Sequence, residues 1–214
     1  TRAHSMGLFS YGGRLVTSSP VMDINIQYDR KTWGFQLFKA MDLRDSRTPI
    51  NFCLAAFNKN FHIGKKITVT PSVGVILEEY ESIADHGSDA AVILTTAYKM
   101  NRHFTLEHST LAGNLVLEPN MRDWVNRLRL LYSFGHLDVT LMGWHNNRCF
   151  DDIGYFTYGS SVFYSRAKLS PGLSINAGIT GLVMAFTSNE AVLPPSNGVF
   201  LTLAVVVDQK TPFN

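Results

Sequence analysis

The sequence predicts an all-β fold, a single closed antiparallel up-and-down barrel of about twelve strands, within a range of about 10 to 14. Two observations lead to this fold class. Apolar residues alternate with small or polar residues along most of the chain, and the connections between these segments alternate between a short set and a longer set. No linker rich in proline, serine or glycine and no block of charge divides the 214 residues, so we expect one domain, 1–214.

The alternation is clearest from Lys66 to Glu79, in "KITVTPSVGVILEE". Successive side chains of a strand point to opposite faces, so Ile67, Val69 and Val73 share one face and the small or polar residues share the other. The same pattern recurs in "VMDINIQYD", "LSINAGITGLV" and "VFLTLAVVVD". Each of these segments therefore has one face suited to an apolar environment and one suited to water.

Joining such segments gives the predicted strands, whose boundaries are good to about three residues. They are 6–16, 20–29, 32–42, 49–58, 66–79, 89–99, 102–117, 122–133, 136–146, 152–165, 169–186 and 198–209.

The connections sort into two sets that alternate along the chain. The short set is "DRK", "KMNR", "SFGH" and "SRAKL", with "NKNFHIGK" as a longer exception, and the longer set is "DLRDSRTP", "EYESIADHGSDA", "LEPNMRD", "HNNRCFDD" and "TSNEAVLPPSNG". Antiparallel strands send alternate connections to opposite ends, and membrane barrels keep short turns at one end and longer loops at the other.

Aromatic residues near predicted strand ends suit the two interfacial girdles of such a barrel. They are Trp33, Tyr98, Phe104, Trp124, Tyr132, Trp144, Tyr155 and Tyr164.

Strands of about ten residues, sorted loops and a late aromatic residue in "KTPFN" make the whole chain resemble a small bacterial outer-membrane β-barrel. The resemblance is to an architecture and not to one family. It implies a location in the bacterial outer membrane of a Gram-negative envelope, with the lipid bilayer and other outer-membrane proteins as partners. Three features depart from the pattern: Phe213 is penultimate, Pro71 removes a hydrogen bond inside a strand, and Lys39 falls on the apolar face unless a bulge shifts the register.

Composition excludes several other classes. The formal charge of +2 without a Lys/Arg cluster argues against a nucleic-acid partner. No apolar run approaches the roughly 18 to 20 residues of a membrane-spanning helix. We expect no cofactor, and Cys53 and Cys149 lack metal spacing, which favours two free thiols.

The segment "WVNRLRLLY" places Arg127 and Arg129 on the face opposite its apolar residues. Two unpaired guanidiniums are not accepted in a dry core, so we expect both in a polar lumen with Glu107, Asp138 and Asp23 as opposite charges. These five residues are the predicted lumen-binding set. Arginines one pleat apart could attract a small polar or anionic solute, or they could belong to a salt-bridge network that plugs a narrow barrel.

The segment "LEHSTLAGN" supplies the candidate for catalysis. A hydroxyl two residues from His108 resembles the His-x-Ser arrangement of outer-membrane phospholipases and lipid A deacylases, in which the histidine acts as general base. Here that hydroxyl belongs to Thr110, and Ser109 follows His108 directly and points the other way. We therefore expect no enzyme, and keep a lipid hydrolase as an alternative.

Asp151 and Asp152, in the predicted loop "GWHNNRCFDD", are weak candidates for a cation site, because the spacing has no EF-hand pattern; we expect no metal.

The predicted function is an integral outer-membrane β-barrel, serving either as a narrow, porin-like polar channel or as a structural and docking component of an envelope complex. A soluble β-barrel that binds a small apolar ligand is a further alternative. It requires the apolar faces to point inward and the face of Arg127 and Arg129 to point outward.

Overall fold

The computed structural model describes residues 1–6, 13–15, 17, 19–43, 51–78, 89–113, 115–116, 122–149 and 153–207. All strands in these residues belong to one antiparallel sheet. They are β1 (Arg2–His4), β2 (Val21–Asp29), β3 (Trp33–Asp42), β4 (Asn51–Lys59), β5 (Phe61–Ile63), β6 (Ile67–Glu78), β7 (Asp89–Lys99), β8 (Phe104–Gly113), β9 (Asp123–Phe134), β10 (Leu137–Cys149), β11 (Ile153–Ser170), β12 (Leu173–Thr187) and β13 (Asn197–Val207).

The sheet closes into a barrel because β1 pairs with β13 and β4 pairs with β6. Strand β5 continues β4, since Phe57 opposes Val73 and Phe61 opposes Val69 in one register on β6. The interruption lies opposite Pro71, whose missing N–H cannot enter the ladder. Counting β4 and β5 as one strand gives a twelve-stranded antiparallel barrel, and the predicted fold class is confirmed.

Tight turns lie at one end of the barrel, together with the end of β13; we call this the turn end. The turns are 30–32, 64–66, 100–103, 135–136 and 171–172. Gly64, Gly135 and Gly172 have φ of 63°, 60° and 76°, values that favour glycine. The segment 188–196, which joins β12 to β13, lies at the opposite end, which we call the loop end.

Two of the predicted connections are corrected. In "NKNFHIGK" the strand continues as β5, so the turn is the tight one at 64–66. The segment "SRAKL" is not a turn: β11 runs on to Ser170, and Arg166, with φ of 63°, lies in a bulge where the register with β12 shifts.

The predicted first strand, 6–16, is also wrong where the structure describes it. The strand is instead Arg2–His4, which pairs with Thr202–Ala204 on one side and with Val21–Asp23 on the other. Gly13 has φ of 75° and is not part of a strand. Residues 7–12 and 16 lie outside the described residues.

The two faces of the barrel wall differ as predicted. On β13, Leu201 points outward and is 61% exposed, whereas Thr202 points inward and is 4% exposed. Outward apolar residues of other strands follow the same alternation; among them are Ile26, Val73, Val75, Leu94, Leu128, Leu141, Val162 and Ile179. Lys39 shares the outward face, because β3 has no register shift with β2 or β4. In the described part of the chain, no helix is long and apolar enough to cross a membrane.

Aromatic side chains surround the turn end of the outer face. Ring centroids are 5.3 Å apart between Tyr28 and Trp33, and 4.7 Å apart between Phe104 and Tyr132. Tyr164 lies against His136 at 5.4 Å. These rings form the expected girdle at that end.

Two aromatic residues assigned to the girdles point inward instead. Trp144 is 3% exposed and Tyr155 is 1% exposed, because each pairs in register with inward-facing neighbours on adjacent strands.

Candidate functional site in the barrel lumen

The turn-end half of the lumen contains a cavity of about 850 Å³. Its walls come from β1, β2 and β10 to β13, and they combine polar and apolar side chains. They include Arg2, His4, Asn25, Gln27, Asp138, Thr140, Ser161, Ser165, Asn176 and Thr202, with Phe163 and Phe200 among them. On the turn-end side of the short β1, the cavity extends into the space between β2 and β13, and there Ile24 and Val205 line it.

A buried group of polar side chains holds β1 in the wall; we call Arg2, His4, Asp23 and Thr202 the seam cluster. Arg2 Nε donates to Asp23 Oδ1 at 2.8 Å, and His4 Nε2 lies 2.8 Å from Asp23 Oδ2. His4 Nδ1 lies 2.8 Å from Thr202 Oγ1. Because a carboxylate only accepts, His4 Nε2 carries the proton, and in the neutral ring Nδ1 accepts the Thr202 hydroxyl. The Asp23 side chain is fully buried, so its charge depends on these partners.

A second polar group, the Glu107 cluster, joins Glu107, Ser109, Arg127 and Arg129 on β8 and β9. Arg129 Nε donates to Glu107 Oε1 at 2.8 Å, and the guanidinium Nη2 of Arg127 donates to the same oxygen at 3.3 Å. Ser109 is buried and lies 3.0 Å from the Thr95 hydroxyl. Glu107 therefore contacts both arginines, and with all three ionised the group has one excess positive charge.

Asp138 lies near the turn-end opening. Its Oδ1 is 3.7 Å from a guanidinium nitrogen of Arg166, whose side chain is 65% exposed. Because the Arg166 side chain is largely in solvent, a pair at this distance contributes about 0–1 kcal/mol to stability. The structure thus places all five residues of the predicted lumen-binding set on the inner face, in three separate groups and not in one ring.

The loop-end half of the lumen is filled with apolar side chains. Trp144 of β10 packs with Leu182 of β12 and with Leu111 and Val125 of β8 and β9. Gly13 lies against the Trp144 ring, since a Cβ there would come within 2.5 Å of it. Gly13 therefore lies inside the barrel at the level of Trp144.

A second apolar group lies in the lumen nearer the loops. Ile153, Tyr155 and Met184 are buried together, and Leu193 of the segment 188–196 packs on them. Asn146 Nδ2 donates to the Tyr155 hydroxyl at 3.2 Å beside this group.

The catalytic candidates do not converge. His108 and Thr110 face outward, while Ser109 faces the lumen. The Thr110 hydroxyl donates to Asn126 Oδ1 at 3.0 Å, away from His108. The lipid-hydrolase alternative is not supported. The soluble-barrel alternative is not supported either, because the apolar faces point outward and Arg127 lies inside.

Asp151 and Asp152 lie outside the described residues, and no group of three or more His, Cys, Asp or Glu side chains in the described part could hold a metal ion. Cys53 lies in β4, as predicted, and is a free thiol. Cys149 is the last residue of β10 and not part of a loop.

Sequence reasoning missed the seam cluster apart from Asp23. Thr202 was already on a predicted polar face, but Arg2 and His4 precede the predicted first strand. The signal was the pair of polar residues that alternate around Ala3, a pattern too short to recognise without its two neighbouring strands.

The barrel is similar to the solved structure of the NanC porin, with a TM-score of 0.62 and 10% sequence identity over 97% of this chain and 98% of that chain. OccK9 (OpdG) of Pseudomonas aeruginosa matches with a TM-score of 0.48 and 13% identity over 92% of this chain and 56% of that chain. A variant of OccD1 (OprD) matches with a TM-score of 0.44 and 13% identity over 96% and 65%. The chain matches no protein-family model and no curated protein. The likeness to NanC shows that the two proteins share a barrel fold, and the predicted barrel architecture is confirmed.

Proposed function

We propose that the chain is an integral β-barrel of the bacterial outer membrane and forms a narrow channel for small polar or anionic solutes. The membrane location is supported by the separation of apolar and polar side chains on the two faces of the wall. Leu201 points outward and is 61% exposed, whereas Thr202 points inward and is 4% exposed. A closed barrel satisfies its backbone groups internally, which is the condition for crossing hydrocarbon with strands. The aromatic girdle at the turn end also supports a membrane location, because aromatic rings are enriched at membrane–water interfaces.

The lumen supports the channel part. The cavity of about 850 Å³ is large enough for a hydrated small solute, and its polar side chains suit water. The Glu107 cluster adds an excess positive charge to the inner wall, which favours anions. The apolar side chains around Trp144 make the loop-end half the narrowest part of this path, so we expect a small conductance.

The first experiment tests the membrane location. Expressed protein should need detergent for extraction, give a β-type circular dichroism spectrum, and migrate differently on gels before and after boiling. A monomer that is freely soluble without detergent would contradict the proposal.

The second experiment tests ion selectivity in planar bilayers. Replacing Arg129 by Gln should shift the reversal potential toward cations, because it removes a positive charge from the inner wall. Lys39→Gln is the matched control, since it removes one positive charge from the outer face. Equal shifts in the two variants would show that the Glu107 cluster does not select ions.

The filled loop-end half favours a second candidate, a structural or docking barrel of an envelope complex. Its signature is a barrel that folds and inserts but conducts no ions. Conductance by the folded wild type would contradict this candidate.

A further inference from the structure

The outer surface has one region whose chemistry does not suit lipid, which we call the outer polar patch: Thr96, His108, Thr110, Asn126 and His145. These residues share the outward face of four neighbouring strands, since Thr96 opposes His108, and Thr110 and Asn126 oppose each other beside His145. Both histidines are exposed.

Apolar residues adjoin the patch along the same strands. On β9, Trp124 and Leu128 lie two residues to either side of Asn126 and are 46% and 50% exposed. On β8, Leu106 lies two residues before His108, and on β10, Leu141 lies four residues before His145. The patch is thus inside the apolar band and not beyond it.

The polar groups of the patch are only partly paired with one another. Thr110 donates to Asn126 Oδ1, and the Asn126 amide N–H groups have no partner among the described residues. The His108 and His145 rings have no hydrogen bond to any described side chain. Hydrocarbon offers such groups no partner, and polar groups at this depth mark an interaction site more often than a lipid contact.

Gly143 makes a notch beside the patch. A Cβ at this position would meet only the Phe156 ring, at 3.9 Å. Small residues in a membrane-facing surface allow another surface to approach closely, as they do between membrane helices. The patch therefore combines polar side chains, a notch and an apolar surround.

We propose that the outer polar patch is the interface between two copies of this chain, related by a two-fold axis along the membrane normal. Two copies inserted in the same direction place the patch at the same depth, so it meets its own polar groups and not lipid. Asn and neutral His each donate and accept, which makes the patch complementary to itself across a two-fold axis. This inference rests on the proposed membrane location.

The test is cysteine cross-linking of full-length barrels in lipid vesicles, in a background with Cys53 and Cys149 replaced by Ser. Asn126→Cys should give a disulfide-linked dimer at low protein-to-lipid ratio, because a residue near a two-fold axis lies close to the same residue of the second copy. Leu203→Cys is the matched control, since Leu203 is outward and 53% exposed on a distant strand. We expect about tenfold more dimer from Asn126→Cys. Equal cross-linking at both positions, or none at Asn126→Cys, would overturn the interface.

A second measurement avoids the cysteines. Sedimentation of the wild type in detergent should show a dimer, and Asn126→Leu with His145→Leu should weaken its association by about tenfold. Heat-modifiable mobility of every variant shows whether the barrel has folded. A wild type that remains monomeric and carries lipopolysaccharide through purification would assign the patch to a lipid and overturn the proposal. Solubility without detergent would instead remove the proposed function itself.

Discussion

The two halves of the lumen are stabilised differently, although the same strands form both. In the turn-end half, the buried charges of the seam cluster are paired with one another. The same half contains a cavity of about 850 Å³ that is open to water. In the loop-end half, Trp144, Leu182 and their neighbours pack across the interior as in the core of a soluble protein. The interior of one barrel can therefore be open to water in one half and packed with apolar side chains in the other.

Removing the largest side chain from the filled half should have the largest effect. Trp144→Ala is expected to lower the free energy of unfolding by about 3–5 kcal/mol, because it leaves a cavity among Leu111, Val125 and Leu182. It should also raise single-channel conductance, since it widens the narrowest level. Denaturant titration monitored by circular dichroism and bilayer recording check the two effects. Trp124→Ala, which removes an outward tryptophan, should leave conductance unchanged; an equal rise there would refute the constriction.

Breaking the seam cluster should have the next largest effect, in the open half. Asp23→Asn removes the charge that pairs with Arg2 and His4, so we expect a loss of about 3 kcal/mol in the free energy of unfolding. The fraction with heat-modifiable mobility at intermediate urea reports this loss. Asp29→Asn, at the exposed end of the same strand, should change stability by no more than about 0.5 kcal/mol. Similar losses in both variants would show that the seam cluster does not hold the wall together.

A smaller loss of stability is expected from adding a methyl group at Gly159, which lies in the wall beside Trp144. A Cβ at Gly159 would lie 2.8 Å from the Gly181 carbonyl oxygen and 3.4 Å from the Trp144 ring. Gly159→Ala should therefore cost about 1–3 kcal/mol through local overpacking. Gly181→Ala is the control, because its Cβ would meet only Val199 at 3.8 Å. The urea midpoints of the two variants make the comparison, and a control that loses as much would mean that strand glycines are intolerant in general.

The sequence predicted the faces of most strands because a period of two is a local property. The Thr68 and Thr70 side of β6 and the Arg127 and Arg129 side of β9 follow from alternation alone. Pro71 was also recognised as a break in the ladder, and the split between β4 and β5 lies opposite it.

What escaped prediction depends on distant neighbours. In "VTLMGWHNN" both faces of β10 mix polar and apolar residues, so alternation did not show that Trp144 faces the lumen. Strand β1 has three residues, and only its pairing with β2 and β13 defines it. The Arg166 bulge likewise depends on the register with β12. The sequence identified Arg127 and Asp23 as members of one charged set in the lumen. It did not show that they belong to two separate clusters, because that depends on the register of the strands around the barrel.

The pairing of β1 with β13 also constrains the order in which the protein can fold. The Thr1 carbonyl accepts from the Val205 amide, so the contact that closes the wall joins residues about two hundred positions apart. No nascent chain can complete the barrel before β13 has been synthesised. Until then β2 and the latest completed strand have open edges that invite pairing with other chains. Because three residues near one end of the chain complete the wall, these strand edges stay open until β13 has been synthesised.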